Sequence, residues 1–532
     1  MAQKREKNKL GQYFTPRHVA GLMLSLSDCD FDARILEPSC GQGVFLDILS
    51  EAGFTNAVGV EIDPELAAHS VFEVKNESFL SHDVSAKYDM VIGNPPYIRW
   101  KDLDESAKQE FKSLPDWNLL FNSLSDYLIP FISKSISHLD DGGELIFVTP
   151  SFWMHTQHSA NLREWMLTQG NMKQILAFDE AAVFPGVASS IIIFRFVKGK
   201  PNNDPVDLYT WLGLRRLPTE NLTIDNEELF EHTQIPAFKP KHHWTLAPQE
   251  TQERLDNLES SCSSADDDSL FGGSSKSTLG DVVDIANGMV SGLDAAFKVD
   301  EDLFKLLTKK ERSALMMVTK AFQLEPIFTD KTVPYINIPN GLSEDEVRGD
   351  YPNLIAHLEP MKDDLLKRYS YAKDLPFWEW AFRRSESFFF NGKSKAFVPC
   401  KERLTSKPHV RFALVPDGII ATQDVTAFAP KDGVRESLEY IVAFLTIPEI
   451  TDWVRHRGLM KGGVAEFSER PLAGIPFRRV NWDDKAEVAI HDQIRDKFLA
   501  LKSDSLGDRT QTQKAMHKLV YKLLELPVSV KG

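Results

Sequence analysis

Cysteine is scarce in this sequence, and long apolar runs are missing from it. The 532 residues include four cysteines, Cys29, Cys40, Cys262 and Cys400, and none has the close spacing of a zinc site or of a disulfide framework. We therefore expect no metal site and a reducing compartment, the cytoplasm. No stretch approaches the roughly 18 apolar residues of a membrane span. The charged residues 1–9 lead into no signal-peptide core, so no membrane association is expected.

Positive charge is also in deficit. The chain has 61 Lys and Arg against 77 Asp and Glu, a net charge of -16. This balance argues against a protein coated in nucleic acid, but it says little about a single basic cleft. The hydrophobic content of 42% is that of an ordinary globular protein. The length suits on the order of two to four domains.

The most informative stretch is Gly93-Asn94-Pro95-Pro96-Tyr97, directly after the apolar run Tyr88-Asp89-Met90-Val91-Ile92. The run predicts a buried parallel strand, and two prolines cannot continue its ladder because proline lacks the N–H. Asn94 is therefore expected at the carboxyl end of a strand, where open α/β sheets bind ligands. Its carbonyl oxygen and a neighbouring backbone carbonyl would accept hydrogen bonds from an amino group beside the flat ring of Tyr97. The alternative is a rigid turn with a buried tyrosine.

A glycine-rich turn, Glu37-Pro38-Ser39-Cys40-Gly41-Gln42-Gly43, follows a short β-prone run and precedes a helix. Gly41 and Gly43 allow a ligand to approach the backbone closely. The third glycine of the dinucleotide fingerprint is replaced by Leu46, which favours a nucleoside over a pyrophosphate. About 20 residues further on, Glu61 ends a strand, where a carboxylate accepts hydrogen bonds from ribose hydroxyls. A solvated strand-end carboxylate is the alternative for Glu61.

Three further sites have two interpretations each. Thr15 and Pro16 predict the start of a helix with a possible ligand contact nearby, or only a capped surface helix. Asp83 precedes the strand that leads to Asn94 and would bind an exocyclic amino group, or cap a loop. Phe184, beside Pro185 in a turn, would be a second flat surface for a ring, or an apolar plug under the loop.

The chain predicts an α/β fold in two domains. Strands and helices alternate through residues 1–248, which indicates a doubly wound sheet with a hairpin at its edge. Residues 249–276 are rich in Ser, Asp and Gly and predict a linker or mobile loop. Residues 277–532 lack the βαβ rhythm and end in a helix with an apolar stripe.

The second domain carries basic residues interleaved with aromatic ones, a composition that suits phosphate contacts and stacking. Solvated surface charge is the alternative. The residues that we consider candidates for DNA binding are Arg383, Arg384, Lys393, Lys395, Arg455, Arg457 and Lys461.

Taken in order, these motifs resemble those of the gamma class of DNA N6-adenine methyltransferases of bacterial restriction–modification systems. The resemblance rests on Gly11-Gln12-Tyr13-Phe14-Thr15-Pro16, the Glu37–Gly43 turn, Glu61, Asp83, Asn94-Pro95-Pro96-Tyr97 and Phe184-Pro185. It implies a Rossmann-like class I methyltransferase domain followed by a mixed α+β target-recognition domain. It also implies S-adenosylmethionine as cofactor, double-stranded DNA as substrate, and a monomer working beside a separate restriction endonuclease.

The resemblance also implies a role for each site residue. Tyr13, Thr15, Glu37, Pro38 and Cys40 would belong to the cofactor site, with the Gly41/Gly43 loop at the methionine moiety, Glu61 at the ribose and Asp83 at the adenine amino group. Asn94 and the Pro95 carbonyl, in the motif with Pro96, would accept hydrogen bonds from N6 of the target adenine. Tyr97 and Phe184 would stack on the base after it leaves the duplex.

Two other classes of function remain open at this point. An RNA or protein methyltransferase would carry the same Asn-Pro-Pro-Tyr motif, although the long second domain argues against it. A non-catalytic DNA-binding specificity protein would have lost the motifs, and the intact Asn94 and Glu61 argue against that. The recognised DNA sequence does not follow from the chain, because base readout depends on side-chain geometry in the grooves.

Overall fold

The computed structural model divides into two compact units, residues 1–252 and 253–532. It describes residues 13–67, 71–121, 125–179, 181–184, 190–213, 215–240, 243–262, 277–368, 374–404, 409–503 and 506–525. Gly11, Gln12, Pro185 and residues 263–276 of the predicted linker lie outside these ranges. In the described part, no helix is long and apolar enough to cross a lipid bilayer.

The first unit is built around one sheet that has nine strands among the described residues. In spatial order the strands are β3-β2-β1-β4-β5-β7-β6-β8-β9. The first five are parallel, and β7 runs antiparallel between β5 and β6. Their bounds are β1 Ile35–Glu37, β2 Ala57–Glu61, β3 Glu73–Asn76, β4 Tyr88–Gly93, β5 Leu139–Pro150, β6 Gly170–Ala177, β7 Ile191–Lys198, β8 Val206–Trp211 and β9 Phe230–Ile235.

The helices of this unit pack apolar faces against the sheet. Their bounds are α1 Arg17–Leu24, α2 Val44–Ala52, α3 Pro64–Ala67, α4 Glu105–Ser113, α5 Leu128–His138 and α6 Ala160–Gln169, and short 3-10 helices span Trp100–Asp102, Ser151–Met154 and Gln157–Ser159. Gly59 in β2 lies so close to α2 that a Cβ would meet Leu46 Cδ1 at 2.9 Å. That contact fixes the start of α2, and with it the glycine-rich turn.

Two local predictions differ from the structure. Helix α1 begins at Arg17, and Thr15 makes no capping hydrogen bond to it. The predicted linker begins as a helix, α7 Gln249–Ser261, because Leu255 and Leu258 bury an apolar stripe in a core cluster. The chain therefore divides at 252/253, within a helix, rather than in a loop that starts at residue 249.

The second unit is a mixture of small sheets and short helices. Among its described residues, the sheets have the orders β10-β18-β14-β16-β12, β13-β11-β17 and β15-β20-β19. The strands are β10 Val283–Asn287, β11 Leu315–Thr319, β12 Ile327–Phe328, β13 Val333–Ile336, β14 Lys395–Pro399, β15 Lys401–Arg403, β16 Ala413–Val415, β17 Ile419–Ala421, β18 Val425–Pro430, β19 Met460–Lys461 and β20 Val464–Glu466.

The helices of the second unit include the predicted C-terminal one. They are α8 Leu279–Val282, α9 Asp294–Phe297, α10 Glu301–Leu306, α11 Lys309–Ser313, α12 Glu344–Asp350, α13 Pro352–Leu358, α14 Lys362–Leu366, α15 Glu386–Phe389, α16 Leu438–Leu445, α17 Pro448–Arg457, α18 Glu469–Ala473, α19 Lys485–Ala500 and α20 Leu506–Leu524, with 3-10 turns at Ala321–Gln323 and Glu359–Met361. Met516 and Val520 of the apolar stripe on α20 are fully buried.

Candidate functional site

Asn94 lies at the carboxyl end of β4, a central strand of the sheet. Met90, Val91 and Ile92 have no exposed surface, as expected for a strand covered on both faces. The ladder with β5 ends at the pair of Gly93 with Phe147, and the two prolines that follow carry no N–H to extend it. The apolar strand and the prolines together place Asn94 at the side of the sheet where the carboxyl ends of the parallel strands lie.

The Asn94 amide is held from two sides. Its Nδ2 donates to the backbone oxygen of Tyr13 at 2.7 Å, and its Oδ1 accepts from the Tyr97 hydroxyl. The Asn94 backbone oxygen accepts from Ser39 Oγ at 3.0 Å. The neighbouring Pro95 carbonyl oxygen accepts no hydrogen bond from the described residues. Two acceptors therefore come from neighbouring residues. The Asn94 side-chain oxygen is oriented by hydrogen bonds of its amide, and the Pro95 carbonyl oxygen accepts no hydrogen bond from the described residues.

The Tyr97 hydroxyl reaches both Asn94 Oδ1 and the backbone oxygen of Val148. A phenol has a single proton, so the two acceptors share it. Burial raises the pKa of Tyr97 well above its usual value, and the neighbouring Tyr13 adds to the shift. Tyr97 is therefore a donor in this site rather than a base.

Tyr13 lies beside both predicted stacking residues. Its ring centroid is 6.2 Å from that of Tyr97, with an interplanar angle of 27°, and 6.3 Å from that of Phe184. Tyr13 is 46% exposed, whereas Phe184 is 1% exposed and packs among Val183, Ile191 and other residues of an apolar cluster. In this conformation Phe184 is an apolar plug, and the exposed aromatic surface belongs to Tyr13.

The glycine-rich turn joins β1 to α2 in a conformation that its glycines permit. Gly41 and Gly43 have φ angles of 53° and 80°, in the left-handed region that residues with a Cβ rarely adopt. The turn is fixed by a hydrogen bond from the Gly43 N–H to the Cys40 oxygen at 2.7 Å. The ring of Phe14 lies over Gly41, 3.7 Å from where a Cβ would be.

Glu61, the last residue of β2, is anchored to the same turn. Its Oε2 accepts from the Gly41 N–H at 2.7 Å, and its Oε1 accepts from the Asp63 N–H at 2.9 Å. The side chain is 6% exposed. Each carboxylate oxygen keeps a second lone pair, so the group can still accept hydrogen bonds from a pair of neighbouring hydroxyls.

Asn94 and Glu61 line one pocket. Glu61, Asp102 and Asp104 make its lining acidic, and no Lys, Arg or His is part of it. Of the predicted residues, the lining includes Tyr13, Pro38, Gly41, Glu61, Asn94, Pro95 and Pro96. Of the three carboxylates, Asp102 is paired with Arg99 and Asp104 caps helix α4, so Glu61 is the carboxylate of the lining that has neither a cationic partner nor a helix-capping role among the described residues.

Asp83 does not line this pocket, so its binding of an amino group there stays a prediction without a geometric observation behind it. The side chain is exposed and accepts hydrogen bonds from Ser85 N at 3.0 Å and Ser85 Oγ at 2.5 Å. These bonds lower the pKa of Asp83. Asp83 is thus the cap of a local turn.

Four other predicted cofactor residues support the pocket without lining it. Thr15 and Cys40 are 8% and 4% exposed, and Cys40 Sγ packs against Gly59. Gly43 starts α2. Glu37 is 1% exposed, and burial raises the pKa of its carboxyl well above the usual value, against the opposing effect of a hydrogen bond from Leu46.

Sequence reasoning missed several residues that line the pocket, namely Phe14, Ser39, Ile62, Ser78, Phe79, Ile98, Asp102, Leu103, Asp104, Ala107, Tyr127 and Phe131. Ser78 and Phe79 follow β3, whose last residue, Asn76, pairs with Glu61. The carboxyl ends of parallel strands meet at one edge, so the residues directly after β3 reach the site. Recognising β3 in the sequence would have pointed to Ser78 instead of Asp83.

Two of the predicted DNA-binding cations, one buried and one partly exposed, are bonded to neighbouring groups of the second unit. Lys395 is 1% exposed, and its Nζ donates to Asn391 Oδ1 and to the Lys393 backbone oxygen. The side chain of Arg457 is 10% exposed and pairs with Asp256 and Glu259. DNA cannot reach the Lys395 ammonium group without disturbing the fold, so the prediction is wrong for that residue, whereas Arg457 is partly exposed and its predicted role stays a prediction.

The other five candidates lie nearer the surface, and most have acidic partners. Ion pairs join Arg383 to Glu386, Lys393 to Asp432, Arg455 to Asp452 and Lys461 to Glu466. Arg384 differs, because it is exposed and its one hydrogen bond to a described residue runs from Nε to the Gly288 oxygen at 2.8 Å. Its two Nη groups are directed to no carboxylate of the described chain.

The chain is similar along nearly its whole length to two characterised proteins. It is 41% identical over 507 residues to the type II methyltransferase M.HindII of Haemophilus influenzae, covering 94% of this chain and 96% of that protein. It is 39% identical over 504 residues to the type II methyltransferase M.HincII of Haemophilus influenzae, with 94% and 96% covered.

Family models and solved structures give further matches. Residues 47–184 match the Eco57I restriction-modification methylase family, and residues 1–58 match the N-6 DNA Methylase family. The structure of the type IIL restriction-modification enzyme MmeI in complex with DNA superposes with a TM-score of 0.61 at 12% identity. It covers 97% of this chain and 73% of that one, which confirms the predicted fold class.

Proposed function

Because the chain belongs to the N6-adenine DNA methyltransferases of type II restriction–modification systems, we propose that Asn94-Pro95-Pro96-Tyr97 is its catalytic motif. The protein is a DNA methyltransferase that acts on N6 of adenine, and it binds DNA. The observation that carries the proposal is the pair of acceptors, Asn94 Oδ1 and the open Pro95 carbonyl, beside a pocket that contains Glu61. Adenine N6 has two hydrogens, which match two acceptors.

The two acceptors favour the reactive form of the nitrogen. The N6 lone pair is delocalised into the adenine ring and is a poor nucleophile. Hydrogen bonds from its two N–H groups to Asn94 and Pro95 favour a pyramidal nitrogen whose lone pair points at the methyl group. After attack the nitrogen is acidic and releases its proton, so no strong base is required beforehand. Positioning and hydrogen bonding account for the rate.

We propose that the pocket next to Asn94 holds S-adenosylmethionine. When bound, this cofactor supplies an electrophilic methyl group on a positively charged sulfur. Glu61, fixed by the Gly41 and Asp63 amides, would accept hydrogen bonds from the ribose hydroxyls. The methionine part would lie at the Gly41 turn, beneath the ring of Phe14.

The target adenine must leave the duplex, since its N6 is paired there. The ring of Tyr97 would stack on the extruded base, next to the acceptors. Tyr13 lies 6.2 Å from Tyr97 on the solvent side of Phe184, so the base would contact Tyr13 before it could contact Phe184. The stacking role predicted for Phe184 thus requires Tyr13 to move.

Methyl transfer from labelled S-adenosylmethionine to unmethylated bacterial genomic DNA tests the proposal, with RNA and a protein extract in parallel. We expect label in the deoxy form of N6-methyladenosine after digestion to nucleosides. Sequencing of the modified DNA then gives the recognition site. Label in RNA or protein would contradict the proposal, and so would an absence of label despite measurable cofactor binding.

We further propose that a separate restriction endonuclease with the same recognition site accompanies this protein, which acts as a monomer. DNA modified in the first experiment should then resist that endonuclease. Sedimentation of the protein with and without duplex DNA tests the oligomeric state.

A further inference from the structure

Phe322, in the second unit, is the most exposed of the large apolar side chains in the described part of the chain, at 75%. It occupies the middle of the 3-10 turn Ala321–Gln323. Its neighbours in the turn, Ala321 and Gln323, are small or polar, so the turn itself contributes no second large apolar side chain. A protein interface would need a wider apolar surface around such a residue.

The backbone of this turn is fixed by side chains from distant parts of the unit. The Ala321 N–H donates to Asp424 Oδ2 at 2.9 Å. The Ala321 and Leu324 oxygens both accept from Arg411 Nη1 at 3.0 Å. Arg411 is itself paired at 2.7 Å with Glu402, which is 1% exposed. The turn therefore holds one shape before any ligand binds.

Lys320, at the start of the turn, adds a second set of bonds. Its Nζ donates to Asp294 Oδ2 at 2.5 Å and to Thr422 Oγ1 at 2.7 Å, and it pairs with Asp424 Oδ1 at 2.7 Å. The side chain of Lys320 is 12% exposed. These groups are satisfied among themselves, so Lys320 serves to fix the turn rather than to contact DNA.

The same segment contains strained backbone. Ile327 has a φ of 76°, which is rare for a β-branched residue. The Phe328 N–H donates to the Pro326 oxygen at 3.0 Å, and this closes a γ-turn of the rarer, positive-φ kind. Such strain persists only where the surrounding structure imposes it, and it is common at ligand-binding sites. The segment's shape thus costs free energy, which the surrounding contacts offset.

Exposed cations are connected to this turn through Thr422 and Asp424. Met289 forms a bridge with Thr422, and the preceding Gly288 oxygen accepts from Arg384. The Asp424 oxygen accepts from the Cys400 N–H at 2.8 Å, next to the exposed Lys401. A lone aromatic ring on a fixed turn, with cations on the adjoining segments, matches a ligand that has both phosphates and stacked rings.

On this basis, and resting on the function proposed above, we propose that Phe322 inserts between neighbouring base pairs of the recognised DNA as an apolar wedge. Wedge residues of this kind unstack one base step and bend the duplex. Arg384 and Lys401 contact phosphates of the same DNA. The fixed turn matters because a wedge transmits force to the stack only if its own backbone does not yield.

Three variants test the wedge: Phe322→Ala, Phe322→Trp, which keeps a ring, and the control Leu306→Ala, which removes another exposed side chain, 68% exposed. We expect Phe322→Ala to lower kcat/KM for unmethylated bacterial genomic DNA about 5- to 150-fold, the range for one lost base stack. Its Tm and its affinity for S-adenosylmethionine should equal those of the wild type. Phe322→Trp and Leu306→Ala should stay within about threefold of the wild type.

A second experiment separates a wedge from an ordinary surface contact. Duplex oligonucleotides contain the sequence that the wild type methylates, with a single mismatch placed at each step in turn. A mismatched step has already lost part of its stacking. A mismatch at the step that Phe322 enters should therefore raise the activity of Phe322→Ala relative to that of the wild type, and mismatches at other steps should not. Equal activity of Phe322→Ala and the wild type, a defect in Phe322→Trp as large as in Phe322→Ala, or an equal defect on every mismatched duplex would overturn the wedge. Failure of wild-type transfer to adenine would instead contradict the proposed function.

Discussion

The Tyr97 hydroxyl is hydrogen-bonded to the side-chain oxygen of Asn94, three residues earlier in the chain. The same hydroxyl also reaches the Val148 oxygen on β5. The ring proposed to stack on the base and the amide proposed to bind its N6 are therefore parts of one hydrogen-bonded unit. A change in either residue should disturb the other, and the variants below separate the two effects.

For Tyr97, the ring and the hydroxyl can be removed separately. Tyr97→Phe keeps the ring and loses one hydrogen bond, so kcat/KM should fall by about tenfold or less. Tyr97→Ala also removes the stacking surface, and transfer should fall at least about tenfold further. Single-turnover transfer to genomic DNA measures both variants. Equal losses in the two variants would show that the hydroxyl, and not the ring, is what matters.

For Asn94, the side-chain acceptor is expected to act in the transition state. Asn94→Ala should lower kcat about 100-fold or more, as removal of one oriented hydrogen-bonding group does in other enzymes. Titration with S-adenosylmethionine should give nearly the wild-type Kd, since the pocket is bounded mainly by other residues. Wild-type transfer by Asn94→Ala would contradict the catalytic role.

Glu61 and Asp83 allow a matched comparison of two carboxylates, one that lines the pocket and one that does not. Glu61→Ala removes an acceptor inside the pocket and releases the Gly41 N–H, so the Kd for S-adenosylmethionine should rise about 10- to 100-fold. Asp83→Ala removes only a turn cap outside the pocket and should leave that Kd unchanged. Calorimetric titration of both variants checks this. Weaker binding by Asp83→Ala would restore it as a cofactor residue.

The sequence was sufficient to predict the local backbone of the candidate site, the strand end and the glycine-rich turn. The apolar run before Asn94 and the two prolines after it determine a strand end, and the positive φ angles of Gly41 and Gly43 follow from residues that alone tolerate them. In each case neighbouring residues decide the conformation.

The sequence was insufficient where distant residues decide. Strand β3 is short and mostly polar, with only Val74 and no other apolar residue, so its pairing with β2 is not visible in its pattern. Without β3, Asp83 was the acidic residue nearest to a third strand end. Likewise, sequence cannot reveal that Arg457 pairs with Asp256 and Glu259, since those partners are about 200 residues away.

Arg384 and Arg457 should respond differently to substitution. Arg384 is exposed without a described carboxylate partner, so Arg384→Ala should weaken DNA binding and reduce the slope of log K against log salt by about 1. Arg457→Ala removes the ion pairs with Asp256 and Glu259, although Glu259 keeps its hydrogen bond from Trp453, and should cost about 2 kcal/mol of unfolding free energy. DNA titrations at several salt concentrations and urea unfolding test the pair. An unchanged salt slope for Arg384→Ala would remove it from the DNA interface.

The stability of the first unit should depend on pH through His138. This side chain has no exposed surface, and its Nδ1 lies 3.2 Å from the Ala86 oxygen. Burial lowers the pKa of His138 from 6.5 to about 4, and the nearby His82 contributes in the same direction. Between about pH 4 and pH 6.5, the His138 side chain therefore binds a proton more often in the unfolded chain than in the folded one. Linkage then requires stability to fall as the pH drops through that range.

His138→Gln removes this titration and keeps a polar side chain of similar reach. Wild-type Tm should fall more steeply than the variant's Tm between about pH 7 and pH 5. Carboxylates titrate in both proteins, so the difference between the two curves isolates the imidazole. Parallel curves would mean that His138 is protonated in the folded state as readily as in the unfolded chain. The ring pair with His82, 5.3 Å between centroids, would then have to accommodate a buried charge, which its apolar neighbours Phe79 and Tyr88 make costly.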